Sequence, residues 1–342
     1  MQFILLHNII VLRKVNIILP AHPLDCSSIF SLSMSIVVTG SLAYDHIMLF
    51  KDEFRRHLLP DKLHMINVAF NVDELTQQFG GTAGNIAYNL AMLHEKPIIV
   101  ATIGGDGDLY LKRIASWKLK TDHIRVYPHL FTAQAFITTD LENNQITAFH
   151  PGAMNKAHEQ ALTSVKRKPD LVIISANGIQ AMVEHAEYCR AKGWNFWFDP
   201  GQAMNALSER QLIEGIKGAE GAIFNDYEWQ LFQHKTGSEL GVILEQIPYV
   251  LVTLGSKGVD IISREGMSRV SAVPDIQLVD PTGAGDAFRA GLLYGLKNGF
   301  GITDSCRYAC AVASYAVQHK GTQNHQFSLE DVKQRADSIT VY

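Results

Sequence analysis

From residue 34 onward the chain alternates between two hydrophobic patterns. Short runs rich in Val and Ile appear at Ile36–Thr39, Ile98–Ile103, Leu171–Ser175, Asn195–Phe198, Gly221–Phe224 and Tyr249–Leu254. Continuous apolar runs of this length predict strands buried on both faces, as in a parallel sheet covered by helices. Between them, Asn85–Leu93, Gln180–Lys192, Glu209–Lys217 and Glu228–Lys235 carry apolar residues at helical spacing. The alternation predicts a doubly wound α/β fold: a mostly parallel sheet, helices on both faces, and a ligand site at the carboxyl ends of the strands.

Two stretches depart from this rhythm. Asp45–Phe79 has no strong helical period, and Asn67–Asp73 within it reads as a strand. Phe131–Phe149 reads as a hairpin, with strands Ala133–Thr139 and Gln145–Phe149 joined by a polar turn at Asp140–Asn144. Insertions at about 45–79 and 131–150 therefore predict a small β-sheet lid within one domain spanning 34–342. Residues 1–33 fit neither pattern. Their apolar patches are broken by His7, Arg13 and Lys14, and none approaches the ~18 residues of a membrane helix. Met34 opens the first clean strand pattern, so 1–33 reads as an over-extended reading frame, with a poorly ordered natural extension as the alternative.

Composition narrows the function classes. With 30 Lys+Arg against 34 Asp+Glu the net charge is −4, which argues against a nucleic-acid binder. The densest basic run, Lys166–Lys168, reads as a solvated helix end. Four cysteines form no CxxC pair, and Cys306 and Cys310 at i, i+4 read as buried core thiols. The expectation is a soluble, cytoplasmic protein that engages neither membrane nor nucleic acid.

The strongest chemical signal is Asp280-Pro281-Thr282-Gly283-Ala284-Gly285-Asp286 ahead of an amphipathic run to Lys297. Gly-Ala-Gly opening a helix leaves N–H groups unpaired and lets an anion approach closely. Asp286, just inside the helix, is then held beside whatever occupies that cradle. A carboxylate there suits a base that takes a proton from an attacking hydroxyl. The bland alternative is a helix start with glycine for the turn and aspartate for the dipole.

Three weaker signals accompany it. Gly80-Gly81-Thr82-Ala83-Gly84-Asn85 is either a hinge with an Asn that binds a hydroxyl, or a loop with an Asn N-cap. Thr253-Leu254-Gly255-Ser256-Lys257-Gly258, after an apolar strand, is either a nucleotide-receiving turn or an ordinary αβ turn. Asn225-Asp226-Tyr227-Glu228 suits the ordering of water on a magnesium ion, weakly on its own. GxxxxGK[ST], HExxH and GxSxG are missing, and no GxGxxG follows the first strand, which argues against P-loop, zincin, hydrolase-elbow and dinucleotide chemistry.

In this order these motifs resemble the ribokinase-like (PfkB) family of carbohydrate and nucleoside kinases, over Met34 to about Gln334. The resemblance implies a large α/β domain with a β lid, ATP with Mg²⁺, and transfer of the γ-phosphoryl group to a primary hydroxyl. By the same resemblance Asp286 is the catalytic base, and Gly283, Ala284 and Gly285 form the anion hole. Asp45, Gly81, Asn85 and Asn177 fall at acceptor-binding positions. Asn225, Thr253, Gly255, Lys257 and Gly258 fall on the nucleotide side, with Glu228 at the magnesium position. Asp280 and the Gly321 turn fall where many members bind a monovalent cation such as K⁺. The sequence departs from the family at Thr82, where a Lys is common, and in the Gly104–Asp108 stretch.

The lid hairpin carries Phe131, Phe136 and Phe149, which suit stacking against a purine or else form the lid's own small core. The Gln134–Met154 segment and Phe198-Asp199-Pro200-Gly201 resemble prokaryotic adenosine and nucleoside kinases. Adenosine, as in purine salvage, is the first expectation for the acceptor. A broader nucleoside range, a sugar such as ribose or fructose, or a non-catalytic nucleoside-binding protein are the alternatives. The oligomeric expectation is a monomer or homodimer.

Overall fold

The computed structural model describes residues 35–58, 68–142 and 144–342. The extension read at 1–33 lies outside the described residues. Nine strands form the main sheet: β1 (Ile36–Thr39), β4 (Ile98–Gly104), β5 (Ile124–Tyr127), β8 (Leu171–Ile174), β9 (Phe196–Phe198), β10 (Gly221–Asn225), β11 (Tyr249–Thr253), β12 (Val259–Ser263) and β13 (Gly266–Val270). Their order is β5-β4-β1-β8-β9-β10-β11-β12-β13; all pairs up to β11 are parallel, and β12 and β13 are antiparallel. The chain moves outward from β1 to β4 and β5, then returns to lay β8 on the other side of β1. Such a reversal opens a crevice at the carboxyl ends of the strands, the usual ligand position in this architecture.

The apolar runs are continuous because each strand feeds two cores. Ile36, Val38, Ile99, Ile173, Trp197, Ile223 and Leu251 point into one. Val37, Val100, Val172, Phe196, Phe224 and Val250 point into the other. The first core is closed by helices α2 (Thr82–Met92), α3 (Asp108–Ser116), α8 (Ala284–Lys297), α9 (Ile302–Ala316) and α10 (Leu329–Asp337). The second is closed by α4 (Ile179–Lys192), α5 (Glu209–Ile216), α6 (Asp226–Thr236) and α7 (Leu240–Gln246). Cys306 and Cys310 lie buried in the first core, as their spacing predicts, and burial pushes the Cys310 thiol up to about 12. No helix among the described residues is long and apolar enough to cross a membrane.

A second sheet has the order β3-β2-β6-β7, from β2 (Ala43–Leu49), β3 (Glu74–Gly80), β6 (Ala133–Thr139) and β7 (Gln145–His150). The hairpin thus falls where its alternation puts it. The strand read at Asn67–Asp73 does not: Asn67 lies outside the described residues, and 68–73 is irregular. Its alternating Val68, Phe70 and Val72 mislead because Phe70 packs on Phe50 and Phe54 from a loop. The actual strand, β3, is mostly polar and exposed. Lys166–Lys168 is exposed but follows a short 3₁₀ turn at Leu162–Ser164 and so ends no α-helix.

Register decides which lid side chains share a face. Asp45 pairs with Gln78 and with Ala135, and Ala135 with Phe149. The opposite face carries Tyr44, His46, Phe79 and Phe136. Phe136 there stacks on the His46 ring, with centroids 4.7 Å apart. The structure therefore does not bring Phe136 and Phe149 to one surface: only Phe149 shares the face of Asp45.

Candidate active site

The carboxyl ends of the parallel strands collect the polar residues. Helix α8 starts at Gly283, whose φ of 80° lies in the left-handed region, where a side chain is costly. Among the described residues the N–H groups of Gly283, Gly285 and Asp286 have no hydrogen-bond partner, while Ala284 N–H turns back to Pro281 O at 3.2 Å. The N–H groups left free at the amino end of α8 are thus those of Gly283, Gly285 and Asp286, and not that of Ala284.

Asp286 sits in the first turn of α8, and its Oδ2 accepts a hydrogen bond from Asn85 Nδ2 at 2.7 Å. Burial pushes its carboxyl up to about 6; Arg289 and the Asn85 bond hold it down, while Asp199 and Asp45 add to the rise. The residue keeps part of its surface open, so it forms the floor of a cleft. Asp45 rises to about 6 through burial alone. Two neighbouring carboxylates that titrate near neutrality suit proton transfer and hydroxyl binding.

Glycines at the end of β3 and in the first turn of α2 leave room for close neighbours. A Cβ on Gly80 would run into Asp45 Oδ2, and one on Gly84 into the Tyr110 hydroxyl. Gly81, at φ 85°, is the N-cap of α2, so Asn85 lies inside the helix and is not its N-cap. Thr82, where the family often has Lys, donates through Oγ1 to Ala176 O at 3.0 Å and joins α2 to the end of β8. Beside it Asn177 is buried; its Oδ1 accepts from Gly178 N, and its Nδ2 has no partner. Asp106, in the unusual Gly104–Asp108 stretch, accepts from Thr132 N and Oγ1 and from Gln134 Nε2, anchoring the start of β6.

On the other side of the crevice Asn225 caps α6. Its Oδ1 accepts from Glu228 N at 2.7 Å, and Glu228 Oε2 accepts from Asn225 N at 2.8 Å. This capping box gives the Asn-x-x-Glu spacing a local cause, and it leaves Glu228 Oε1 uncommitted. Burial raises the Glu228 carboxyl, opposed by Arg289. Thr253 ends β11 and donates to Phe224 O at 3.3 Å, and the turn Gly255–Lys257 follows with Lys257 exposed. Gly258, at φ 93°, packs against Val270 O, where a Cβ would not fit. Asp280 accepts from Thr282 N through Oδ1 and from Gly321 N through Oδ2, both at 2.9 Å, so the sequence-paired Asp280 and Gly321 do meet. Among the described residues there is no cluster of three His, Cys, Asp or Glu side chains able to hold a metal. A surface depression of about 290 Å³ lined by Glu245–Tyr249 and Ser263–Glu265 lies at the amino end of β11, away from this cleft.

Sequence reasoning missed the group beneath the cleft. Arg289 is buried and forks onto both Asp199 oxygens through Nε and Nη2, and Ser175 also donates to Asp199. The available signal was a charged Arg289 inside the apolar run Ala287–Leu293, one turn after Asp286.

The sequence pattern of the pfkB family carbohydrate kinases matches residues 35–328. The chain belongs to that family. Like other pfkB kinases it is an ATP-dependent kinase with the ribokinase-like fold. The nucleoside kinase of Burkholderia thailandensis, whose structure is in complex with inosine, is 38% identical with a TM-score of 0.80, over 89% of this chain and 97% of that one. The nucleoside kinase of Methanocaldococcus jannaschii is 25% identical with a TM-score of 0.79, over 89% and 98% of the two chains. A nucleoside kinase of Methanothermobacter thermautotrophicus is 28% identical over 85% of this pfkB chain and 91% of its own length.

Proposed function

We propose that this kinase transfers the γ-phosphoryl group of ATP to the 5′-hydroxyl of a purine nucleoside, adenosine first, with Asp286 as general base. The observation that carries the reading is the Asp286 carboxylate: half-buried at the amino end of α8, beside free N–H groups, and pushed up to about 6 by burial. A base works best when its pKa lies near the operating pH. Asp45 and the second N–H of Asn85 Nδ2 grip the ribose, and the partnerless Nδ2 of Asn177 is a further donor for the acceptor. The Asp45 face of the lid also carries Ile47, Ile137 and Phe149, an apolar surface that suits a base ring better than a free sugar.

The acceptor hydroxyl attacks the γ-phosphorus in line while the bond to the β,γ-bridging oxygen breaks and ADP leaves. The hydroxyl proton passes to Asp286 Oδ, and the Gly283, Gly285 and Asp286 N–H groups offset charge on the transferred oxygens. Thr253, Gly255, Lys257 and Gly258 receive the nucleotide, and Asn225 lies at the same rim. Magnesium usually takes few protein ligands and several phosphate and water oxygens, and the spare Glu228 Oε1 fits that role through water. When bound, the ion neutralises phosphate charge. A monovalent cation at Asp280 would share oxygens already held by two N–H donors, so no step depends on it.

Inosine is the second acceptor favoured, through the 38%-identical relative whose structure contains it. The test of the base is Asp286→Asn: kcat falls by roughly 10²–10⁴ while calorimetric nucleoside binding persists. A near-normal kcat would overturn the assignment.

A further inference from the structure

Behind Asn85, away from the cleft, runs a chain of side-chain hydrogen bonds that spans most of the sequence. Arg113 on α3 donates from Nε to Gln323 Oε1 at 3.0 Å and from Nη2 to the Gln323 backbone O at 2.6 Å. Gln323, between α9 and α10, donates from Nε2 to Asn85 Oδ1 at 3.0 Å and to the Tyr110 hydroxyl at 2.9 Å. Asn85 then donates from Nδ2 to Asp286. Tyr110 in turn donates its hydroxyl hydrogen bond to Gly80 O at 2.6 Å, so the last residue of β3 belongs to the same network.

We propose that Gln323 is a positioning residue which, oriented by Arg113, fixes the end of the Asn85 amide that faces Asp286. A guanidinium only donates, so the Gln323 atom beside Arg113 is its oxygen and the atom facing Asn85 is its NH₂. The Asn85 atom that meets an NH₂ is its oxygen, which leaves the Asn85 NH₂ aimed at the carboxylate. Two amides in series thus carry the sign of Arg113 to the floor of the cleft. Without that constraint Asn85 could rotate, and its oxygen would then face a carboxylate oxygen. Gln323 is nine-tenths buried and more, so water does not substitute for its partners. The remaining charged groups around Asp286 are Arg289 on its own helix, Asp199 after β9 and Asp45 on β2. None of them constrains the amide.

The inference rests on Asp286 as the base, and the experiment separates the two. Gln323→Glu keeps shape but replaces the NH₂ by an oxygen, so it forces Asn85 to turn. The expected result is a kcat at pH 7 lower by about tenfold or more and an acid limb of the pH–kcat profile displaced upward by about one unit. The KM for ATP stays within about threefold. Gln323→Met deletes the hydrogen bonds without imposing the wrong sign and loses less kcat than Gln323→Glu, with a smaller displacement of the limb. The charge that Gln323→Glu introduces raises the limb by itself, so the neutral Gln323→Met decides: a merely structural role leaves its acid limb unmoved, and that outcome overturns the proposal. Should Gln323→Glu fail to fold, Arg113→Gln makes the same test from a half-buried position, because a glutamine there accepts as well as donates. It should lower kcat and raise the acid limb part-way; an unchanged profile overturns the relay. Asp286→Asn run alongside isolates the premise: if it is inactive while Gln323→Glu behaves as the parent enzyme, only the relay fails.

Discussion

Arg289→Met removes one half of the ion pair beneath the cleft. The Arg289 and Asp199 side chains are 9% and 1% exposed, and the guanidinium meets both carboxylate oxygens. Removing the cation leaves Asp199 buried with only the Ser175 hydroxyl. Breaking a buried pair from one side costs about 3–5 kcal/mol. At roughly 2 °C per kcal/mol for a chain of this size, the melting midpoint should fall by about 6–10 °C. The same change removes the cation that holds the Asp286 carboxyl down, so the acid limb of kcat moves above its parent position near pH 6. Adding Asp199→Asn removes the stranded charge as well, and should recover most of the melting loss and return the limb toward its start. Calorimetric melting of the single and double variants, with pH–rate profiles, reads both effects. A single variant that melts with the parent, or a double variant as unstable as the two losses added, would refute the reasoning.

Three further outcomes are expected. Phe149→Ala should raise the nucleoside KM by about tenfold through loss of an aromatic contact, whereas Phe136→Ala on the other lid face should leave it unchanged; equal effects in steady-state assays would contradict the register argument. Gly84→Ala, favoured by ~1 kcal/mol of helix propensity, should nevertheless destabilise by roughly 1–3 kcal/mol through its clash with the Tyr110 hydroxyl, and Tyr110→Phe in the same chain should restore part of the loss on melting. Asp286→Asn should stabilise the ligand-free protein at pH 8: with a folded pKa near 6 against 3.8 unfolded, the folded state keeps a proton that the unfolded chain loses, so parent stability falls as pH rises through that window. The gain is up to ~3 kcal/mol and should vanish below about pH 4; a variant less stable than the parent at pH 8 would count against the buried charge.

The middle of the main sheet was legible because β1, β4, β8, β10 and β11 are buried and appear as apolar runs, whereas β5 and β13 are largely exposed and were not read. Strand β3 was not legible, because a lid strand facing solvent is mostly polar, with only Leu75 and Phe79 apolar, and its neighbour Phe70 mimicked a strand while packing from a loop. The residues of the cleft were legible where chemistry and backbone geometry coincide, as in Gly283–Asp286 and Gly80–Asn85. Asn225 and Glu228 were legible for a second reason, their capping box, which would draw attention in any helix. The faces of Phe136 and Phe149 depended on hairpin register, which the length of the turn sets and the residues themselves do not reveal. Gln323 carried no sequence signal, since its partner Asn85 lies 238 residues away.

The most direct measurement is the release of ADP from Mg-ATP by the full chain, with adenosine, inosine, guanosine, cytidine, ribose and fructose offered separately and the product identified by mass. Turnover with adenosine or inosine well above ribose and fructose, yielding the nucleoside 5′-monophosphate, is the predicted result. Turnover with a free sugar alone, or ADP release that no nucleoside accelerates, would contradict the account.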